Sequence, residues 1–441
     1  MKCLLILWSF VSVLAMASFS PAFAEPDGTL HIENNSPNNI SLQQASAKAL
    51  LKNPILSAFS QEVQARSART LQSSLLPNPT LSIQVGNAFG SGSFGGFRGA
   101  ETNVQVGQLI ELGGKRSARI NVGKAAEELA GWDYDSKRLE VLMNVHKAFV
   151  NVLKMQHSVS LAEDMIELGN NFFEAVSQRV KAGKIASIEQ IKAKVALSNF
   201  KIALEKTKQD LKQAKRQLSR TWGDANPGFE KVLGNLFKIS PAPPIETLQP
   251  KILQTPSFKL WESAMKQRQA EVKRERSKRI PNITLSGGYR RLEQSDDNAV
   301  TFGLSIPLQF FNRNQGAIAE AQHNLSRIQE EKRSAEIEMT QTFLNAYQTL
   351  VLAHSRAQTL QTEILPSAQQ VFDGVSEGYR FGKFGFLEFL DSQKTYFTAK
   401  QQYLESLANY HFAVADVESL IGEPLVFAEP KPMPNGEKPQ Q

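Results

Sequence analysis

From about Lys115 to Lys181 the sequence has no proline, and glycine occurs only at Gly123, Gly131 and Gly169. Polar residues dominate, and apolar ones recur every three or four positions, the period of an amphipathic helix. At roughly 1.5 Å per residue a single helix here is on the order of 100 Å long. Helices of globular domains usually run about three or four turns. A compact core cannot cover such a rod, so the chain must build something elongated. The second half repeats the tract from about Gln315 to Arg380, with Pro366 as its one proline.

The repetition extends to the whole chain, which predicts a duplicated architecture. Arg179 to Lys194 echoes Gly378 to Gln393, pairing Gly183 with Gly382 and Glu189 with Glu388. PNPTLS (Pro77 to Ser82) matches PNITLS (Pro281 to Ser286), and Asn53-Pro54 and Thr255-Pro256 open the helices leading into them. The returning helices stop at Trp222-Gly223 and Ile421-Gly422. The halves are expected at 41–235 and 253–423, with a Pro-rich linker at 236–252 and a flexible tail at 424–441. Each half reads as a helix (Ala45 to Leu75, or Ser257 to Arg279), a proline turn, a strand, a polar loop, a second strand and a long helical tract. That tract reverses at Gly183 or Gly382. The shorter helices together nearly match the long one, so they can stack end to end beside it as a helical tube.

The strands alternate with period two. Leu81, Ile83 and Val85 oppose Thr80, Ser82, Gln84 and Gly86; Ile283, Leu285 and Tyr289 oppose Thr284, Ser286 and Arg290. Phe302, Leu304, Ile306 and Leu308 oppose Thr301, Gly303 and Ser305, and Val104 and Val106 show the pattern more weakly. The pattern alone fits a soluble half-buried sheet or a membrane barrel equally. Other features favour the barrel. Lys2, the apolar run Leu4 to Ala17 and Ala22-Phe23-Ala24 before Glu25 form a secretory signal peptide, residues 1–24, with a leader at 25–40. The only cysteine, Cys3, leaves with the signal. No later segment reaches the roughly 20 apolar residues of a membrane helix. A chain that spans a membrane without such a helix must use a closed barrel, and an exported barrel points to a Gram-negative outer membrane. Four strands cannot close a barrel, since about eight is the small end. Several chains must therefore pool strands; three give twelve, and two or four also satisfy the count.

No constellation for catalysis appears. His31, His146, His157, His323, His354 and His411 form no pair at ligand spacing, and neither H-E-x-x-H nor C-x-x-C occurs. Gly90-Ser-Gly92-Ser-Phe-Gly95 matches G-x-G-x-x-G, but a strand follows it where a dinucleotide site needs a helix. It reads as a flexible loop, with Phe89, Phe94 and Phe97 either at a lipid interface or packing the rim. No enzyme activity, cofactor or bound metal is expected. The net charge is +7, from 50 Lys+Arg against 43 Asp+Glu. The densest basic run is Lys266, Arg268, Lys273, Arg274, Arg276, Lys278 and Arg279, interleaved with Glu262, Glu271 and Glu275. It reads as a solvated helix face; no nucleic-acid partner is expected.

Glu388 and Asp391 lie three residues apart on one helical face just past Gly382. In a symmetric oligomer each makes a ring of charge that attracts cations and repels itself, a site opened by separating helices. They also suit a helix N-terminus, where acids favour the macrodipole. The first half keeps Glu189 but has Lys192 in the place of Asp391.

With this plan the chain resembles the TolC family of outer-membrane efflux channels, and within it the CzcC-like heavy-metal efflux branch. The marks are Leu76-Pro-Asn-Pro79, Glu111-Leu-Gly-Gly-Lys-Arg116, Pro307-Leu-Gln-Phe-Phe-Asn-Arg-Asn-Gln-Gly316, and Gly382, Leu387, Glu388, Leu390 and Asp391. The resemblance implies a mainly α protein with a small membrane β part. Three chains would share a twelve-stranded barrel continued by an α-helical periplasmic barrel. Leu81, Ile83, Val85, Val104, Val106, Ile283, Leu285, Phe302, Leu304 and Ile306 would lie in membrane strands beside outer-membrane lipid. Gly183, Lys184, Gly382 and Lys383 would dock a periplasmic membrane-fusion adaptor linked to an inner-membrane RND pump. Glu388 and Asp391 match the acidic positions of the family's pore constriction. Phe384 and Phe386 make this tip unusually aromatic, and Phe389 replaces a smaller aliphatic residue. The expected function is a passive exit duct for divalent heavy-metal cations. The rivals are a channel for drugs or type I protein secretion, and a periplasmic coiled-coil adaptor, which would carry one hairpin rather than two.

Overall fold

The computed structural model describes residues 38–427. The signal peptide, Cys3 and His31 fall outside the described residues. Helix α1 (Leu42–Lys52) opens with a capping box in which Ser41 Oγ accepts from the Gln44 N–H and Gln44 Oε1 accepts from the Ser41 N–H. Its successor α2 (Pro54–Ser74) is separate, where one helix was expected from Ala45 to Leu75. Pro54 has no N–H to continue the ladder, and Asn53 Oδ1 accepts instead from the amides of Ile55 and Leu56 at 2.8 and 3.2 Å.

The long helix α3 (Lys115–Lys181) runs unbroken for 67 residues and is followed by α4 (Ser187–Arg220). A one-turn α5 (Ile245–Leu248) precedes α6 (Pro256–Ser277), which Thr255 caps as Asn53 caps α2. The second long tract is α7 (Gln315–Thr359), a π-helical turn at Leu360–Ile364, α8 (Leu365–Arg380), and after the reversal α9 (Phe386–Ile421). Pro366 therefore does not end the rod. The wider π turn makes room for a ring that would strike the carbonyl four residues back.

The expected end-to-end stacking is present in both halves. Asn53 Nδ2 donates to Thr221 O at 2.7 Å, and a Cβ on Gly223 would stand 3.0 Å from Pro54 Cδ, so α4 abuts α2 beside α3. Gly422 meets Thr255 and Pro256 in the same way, so α9 abuts α6 beside α7. The glycine at each joint takes positive φ, 80° at Gly223 and 77° at Gly422.

The Pro-rich linker between the halves packs against the rods at several points. Leu236, Leu248 and Ile252 are buried, and Tyr410 Oη donates to Ser240 O while accepting from Ser240 N–H. Leu425, within the expected tail, is also buried, and its N–H donates to Glu418 Oε1. A small parallel ladder, β1 (Asn39–Ser41) with β4 (Lys231–Leu233), sits in this layer and was not expected; three-residue strands carry too little periodicity to read. The layer's core joins Val145, Phe149 and Val152 of α3 to Leu218 of α4 and Leu407 of α9.

At one end of the rods lies a four-stranded antiparallel sheet of β2 (Thr80–Gly86), β3 (Glu101–Ile110), β5 (Ile283–Leu292) and β6 (Asp297–Ser305), in the order β2-β3-β5-β6. The two hairpins thus lie side by side. Pairing Leu81 with Val106, Ile83 with Val104, Val104 with Tyr289 and Leu285 with Leu304 puts the alternating apolar residues on one face. That face is open: Phe302 is 87% exposed. The opposite face carries Ser82, Gln105, Ser286 and Gly303. Ile306 was expected within a strand, but β6 ends at Ser305, and Ile306 is followed directly by Pro307, which cannot donate to a ladder. Among the described residues neither β2 nor β6 pairs along its outer edge.

The Glu111 to Arg116 motif fastens sheet to helices. Gly113 and Gly114 both take positive φ, and a Cβ on Gly113 would stand 2.8 Å from the Ile280 side chain. The turn starts α3 beside the end of α2. There Arg119 donates to Ser73 O at 2.8 Å and Leu75 O at 3.1 Å, and pairs with Glu111 at 2.5 Å. It thereby satisfies orphan carbonyls at a helix C-terminus. Arg119→Ala is expected to lower stability by about 1.5–3 kcal/mol, read as earlier heat dissociation of the purified protein. Arg327→Ala, which removes only an exposed i,i+4 pair, is expected to change it by less than about 0.5 kcal/mol.

Candidate functional site

The end of the rods opposite the sheet carries the two reversals. Each uses the same turn chemistry. Gly183 N–H donates to Val180 O and Lys184 N–H to Arg179 O; Gly382 N–H donates to Tyr379 O and Lys383 N–H to Gly378 O. This is the Schellman pattern, and φ of 68° and 73° at Gly183 and Gly382 explains why glycine stands there. All four residues, Gly183, Lys184, Gly382 and Lys383, are exposed at the tip.

Glu388 is the third residue of α9, and Asp391 lies one turn on. Both are exposed on one face, and among the described residues neither has a cation within ion-pair distance. The Glu388 carboxylate folds back over the helix start: a Cβ on Gly385 would stand 2.6 Å from its Oε2. That placement suits the positive end of the helix dipole.

The residues between these acids turn inward. Phe389 stacks on Phe172 of α3 with centroids 4.0 Å apart and planes 8° from parallel. Phe372 and Tyr379 of α8 and Phe386 close the cluster. Arg179 of the first reversal donates to Tyr379 O at 3.0 Å, and its guanidinium lies 5.0 Å from the Tyr379 ring centroid. Burial pushes the Tyr379 phenol above its ordinary range, with Glu189 adding to the effect. The two halves are thus pinned together at the tip by an aromatic stack and one arginine. Beside the pin is an open groove of about 640 Å³ lined by Phe172, Arg179, Lys184, Tyr379, Arg380 and Phe389.

The sequence pointed to the turns and the acids but not to this pin. Phe172 and Val176 are four apart and Phe386 and Phe389 three apart, so the helical faces were readable. Their meeting across about 200 residues was not. Gly378 is explained only here, because a Cβ would strike the Phe384 ring.

Among the described residues no three His, Cys, Asp or Glu side chains are grouped to hold a metal ion. No helix among them is long and apolar enough to cross a membrane. Residues 45–224 and 249–423 match the family model for outer membrane efflux proteins. The chain belongs to that family. It is 32% identical over 415 residues to the cobalt-zinc-cadmium resistance protein CzcC of Cupriavidus metallidurans, covering 93% of this chain and 98% of CzcC. It is 25% identical over 304 residues to the nickel-cobalt-cadmium resistance protein NccC of Alcaligenes xylosoxydans xylosoxydans, covering 68% and 67%. The fold matches a crystal structure of CusC with a TM-score of 0.69 at 17% identity, over 87% of this chain and 92% of that one.

The protein is therefore an outer-membrane efflux channel of the TolC type, with its helical part in the periplasm. Channels of this family are passive ducts without enzymatic activity. Phe389→Ala should empty the pin and cost about 3–5 kcal/mol of local stability. Hydrogen exchange at residues 372–392 is then expected to quicken by about two to four orders of magnitude. Ala substitution at Gly374, where a Cβ meets nothing within 4 Å, should not quicken it, since Ala favours a helix over Gly.

Proposed function

We propose that this chain is the outer-membrane duct of a tripartite efflux system that exports divalent heavy-metal cations. Three copies join the free edges of β2 and β6 to close a twelve-stranded barrel, with Leu81, Ile83, Val85, Val106, Phe302 and Leu304 toward lipid. Their rods continue the barrel as a helical tunnel. The reversals at Gly183–Lys184 and Gly382–Lys383 receive a periplasmic adaptor, and an inner-membrane pump of the RND type supplies energy and selectivity. Glu388 and Asp391 form two acidic rings at the narrow end.

The observation that carries this reading is the four-stranded sheet with one exposed apolar face and two unpaired edges, mounted on a helix of 67 residues. Only edge-to-edge closure leaves no unsatisfied backbone in lipid. The cation assignment is supported by similarity to CzcC along nearly the whole chain and by the unpaired acids at the tip. A ring of carboxylates near a constriction favours cations over anions.

Planar-bilayer conductance of Glu388→Ala/Asp391→Ala is expected to rise, with a weaker cation preference; unchanged conductance removes both residues from the constriction. Deletion of the gene is expected to sensitise cells to cobalt, zinc, cadmium or nickel salts. Sensitivity to drugs with unaltered metal tolerance would replace the metal cargo by an organic one.

A further inference from the structure

The basic run of α6 divides into two parts with different surroundings. In the first, Lys266 donates to Glu128 at 2.8 Å and Arg268 to Glu271 at 2.8 Å, so the charges cancel on a solvated face. The second part ends α6 where the helices meet the sheet. Here Lys278 and Arg274 are taken by the buried Glu275, which also accepts from Asn314 Nδ2. Burial works to raise the Glu275 carboxyl, but these hydrogen bonds more than offset it and hold it below its ordinary range.

Arg276 and Arg279 have no such partner. Around them the same layer holds Arg116 at the start of α3 and Arg313 just before α7. Gln309 Nε2 donating to Lys278 O and Asn314 Nδ2 donating to Glu275 O fasten the segment before α7 onto the end of α6. Among the described residues none of Arg116, Arg276, Arg279 and Arg313 has a carboxylate within 4.0 Å, and all four are exposed. The two acids of this layer, Glu111 and Glu275, keep only 10% and 9% of their side chains exposed and are already paired. Neither acid is left to offset these four arginines.

Exposed apolar residues neighbour these arginines along the chain. Phe302 and Leu304 lie on the open face of the sheet, Leu308, Phe310 and the 93% exposed Phe311 follow them to Arg313, and the exposed Ile280 follows Arg279. Aromatic residues at the end of an apolar band mark the edge of a bilayer. Compensation of the helix dipole accounts for Arg274 and Arg276 in the last turn of α6. It does not account for Arg279, beyond the helix, nor for Arg313, which stands at the start of α7 where the dipole disfavours a cation; Arg116 Nε donates to Ser74 O at the end of α2 at 2.8 Å, and the residue stays exposed.

We propose that Arg116, Arg276, Arg279 and Arg313 form a belt that binds the headgroups of anionic phospholipids in the periplasmic leaflet. The apolar side chains next to them take the first part of the acyl chains, and the guanidinium groups take the phosphates. In an oligomer the belt recurs in each copy, so the duct carries its own ring of bound lipid where barrel and tunnel join. The proposal rests on the sheet being the membrane part, and is independent of the cargo.

The test uses the full-length oligomer in detergent with equal amounts of phosphatidylglycerol and phosphatidylethanolamine. Retained lipid is read by native mass spectrometry. Phosphatidylglycerol is expected to be retained preferentially. In Arg276→Gln/Arg279→Gln/Arg313→Gln the preference should fall by at least about tenfold, since each basic residue near a surface contributes about fivefold. Lys266→Gln/Arg268→Gln should retain it. Equal retention of both lipids by the unaltered protein, or an undiminished preference in the triple variant, overturns the proposal. So does displacement of phosphatidylglycerol by millimolar inorganic phosphate, which would make the site one for free phosphate. If the triple variant does not assemble, the unaltered protein decides alone: its preference must weaken as salt rises from about 0.05 to 0.5 M, and an unchanged preference refutes the belt. Membrane insertion of a heat-sensitive oligomer tests the sheet's placement separately. A chain that inserts yet shows no headgroup preference disproves the belt alone.

Discussion

Hydrocarbon offers a backbone no hydrogen-bond partner, so a strand edge cannot face lipid. Among the described residues the sheet has two such edges, on β2 and β6, and one exposed apolar face. The sheet is incomplete by construction, and the closure proposed above makes assembly a condition of entering the membrane. The duplication serves the same end. Two hairpins laid side by side double the number of strands each copy contributes, and each hairpin carries its own rod and its own reversal.

The rods then have to be straight and continuous over a length that one local core cannot hold. The structure meets this by staggering joints. Where α4 gives way to α2, the unbroken α3 runs past the gap, and Asn53 bridges the joint to Thr221 O. The second half repeats the joint at Gly422 against Thr255 and Pro256, with α7 alongside. Positive-φ glycines end the incoming helix at both joints, and a capped proline starts the outgoing one. Bonds across the joints, together with Leu236, Leu248 and Ile252 buried from the stretch between the halves, hold the rods together midway.

The two ends differ in chemistry because their surroundings differ. At the sheet end, Arg119 and Glu275 anchor turns with charge-assisted bonds, and the leftover arginines face outward. At the tip, aromatic stacking is the main contact, with one such bond from Arg179 to Tyr379 O beside it. Phe172 on Phe389 joins the first half to the second while leaving Glu388 and Asp391 free on the opposite face. An apolar pin of this kind is little affected by salt, whereas the like charges beside it are.

Much of the local structure was legible because it depends on local rules. The absence of proline from 115 to 181, the glycines at the reversals and the period-two strands set helix, turn and hairpin by backbone sterics and face alternation. The repeat of those signals showed the duplication. Proline was the unreliable guide: Pro54 ended a helix and Pro366 did not, since a π turn depends on neighbours that packing supplies. The short β1–β4 ladder, the burial of the supposed linker and the joining of Phe172 to Phe389 likewise join residues far apart in the chain, and periodicity carries no record of which distant faces meet. The sequence by itself determined the rods, the turns and the strands. Tertiary structure alone decided that Glu128 of α3 cancels Lys266 and that Asn314 closes on Glu275, because those pairs depend on distance in space and not on helical spacing.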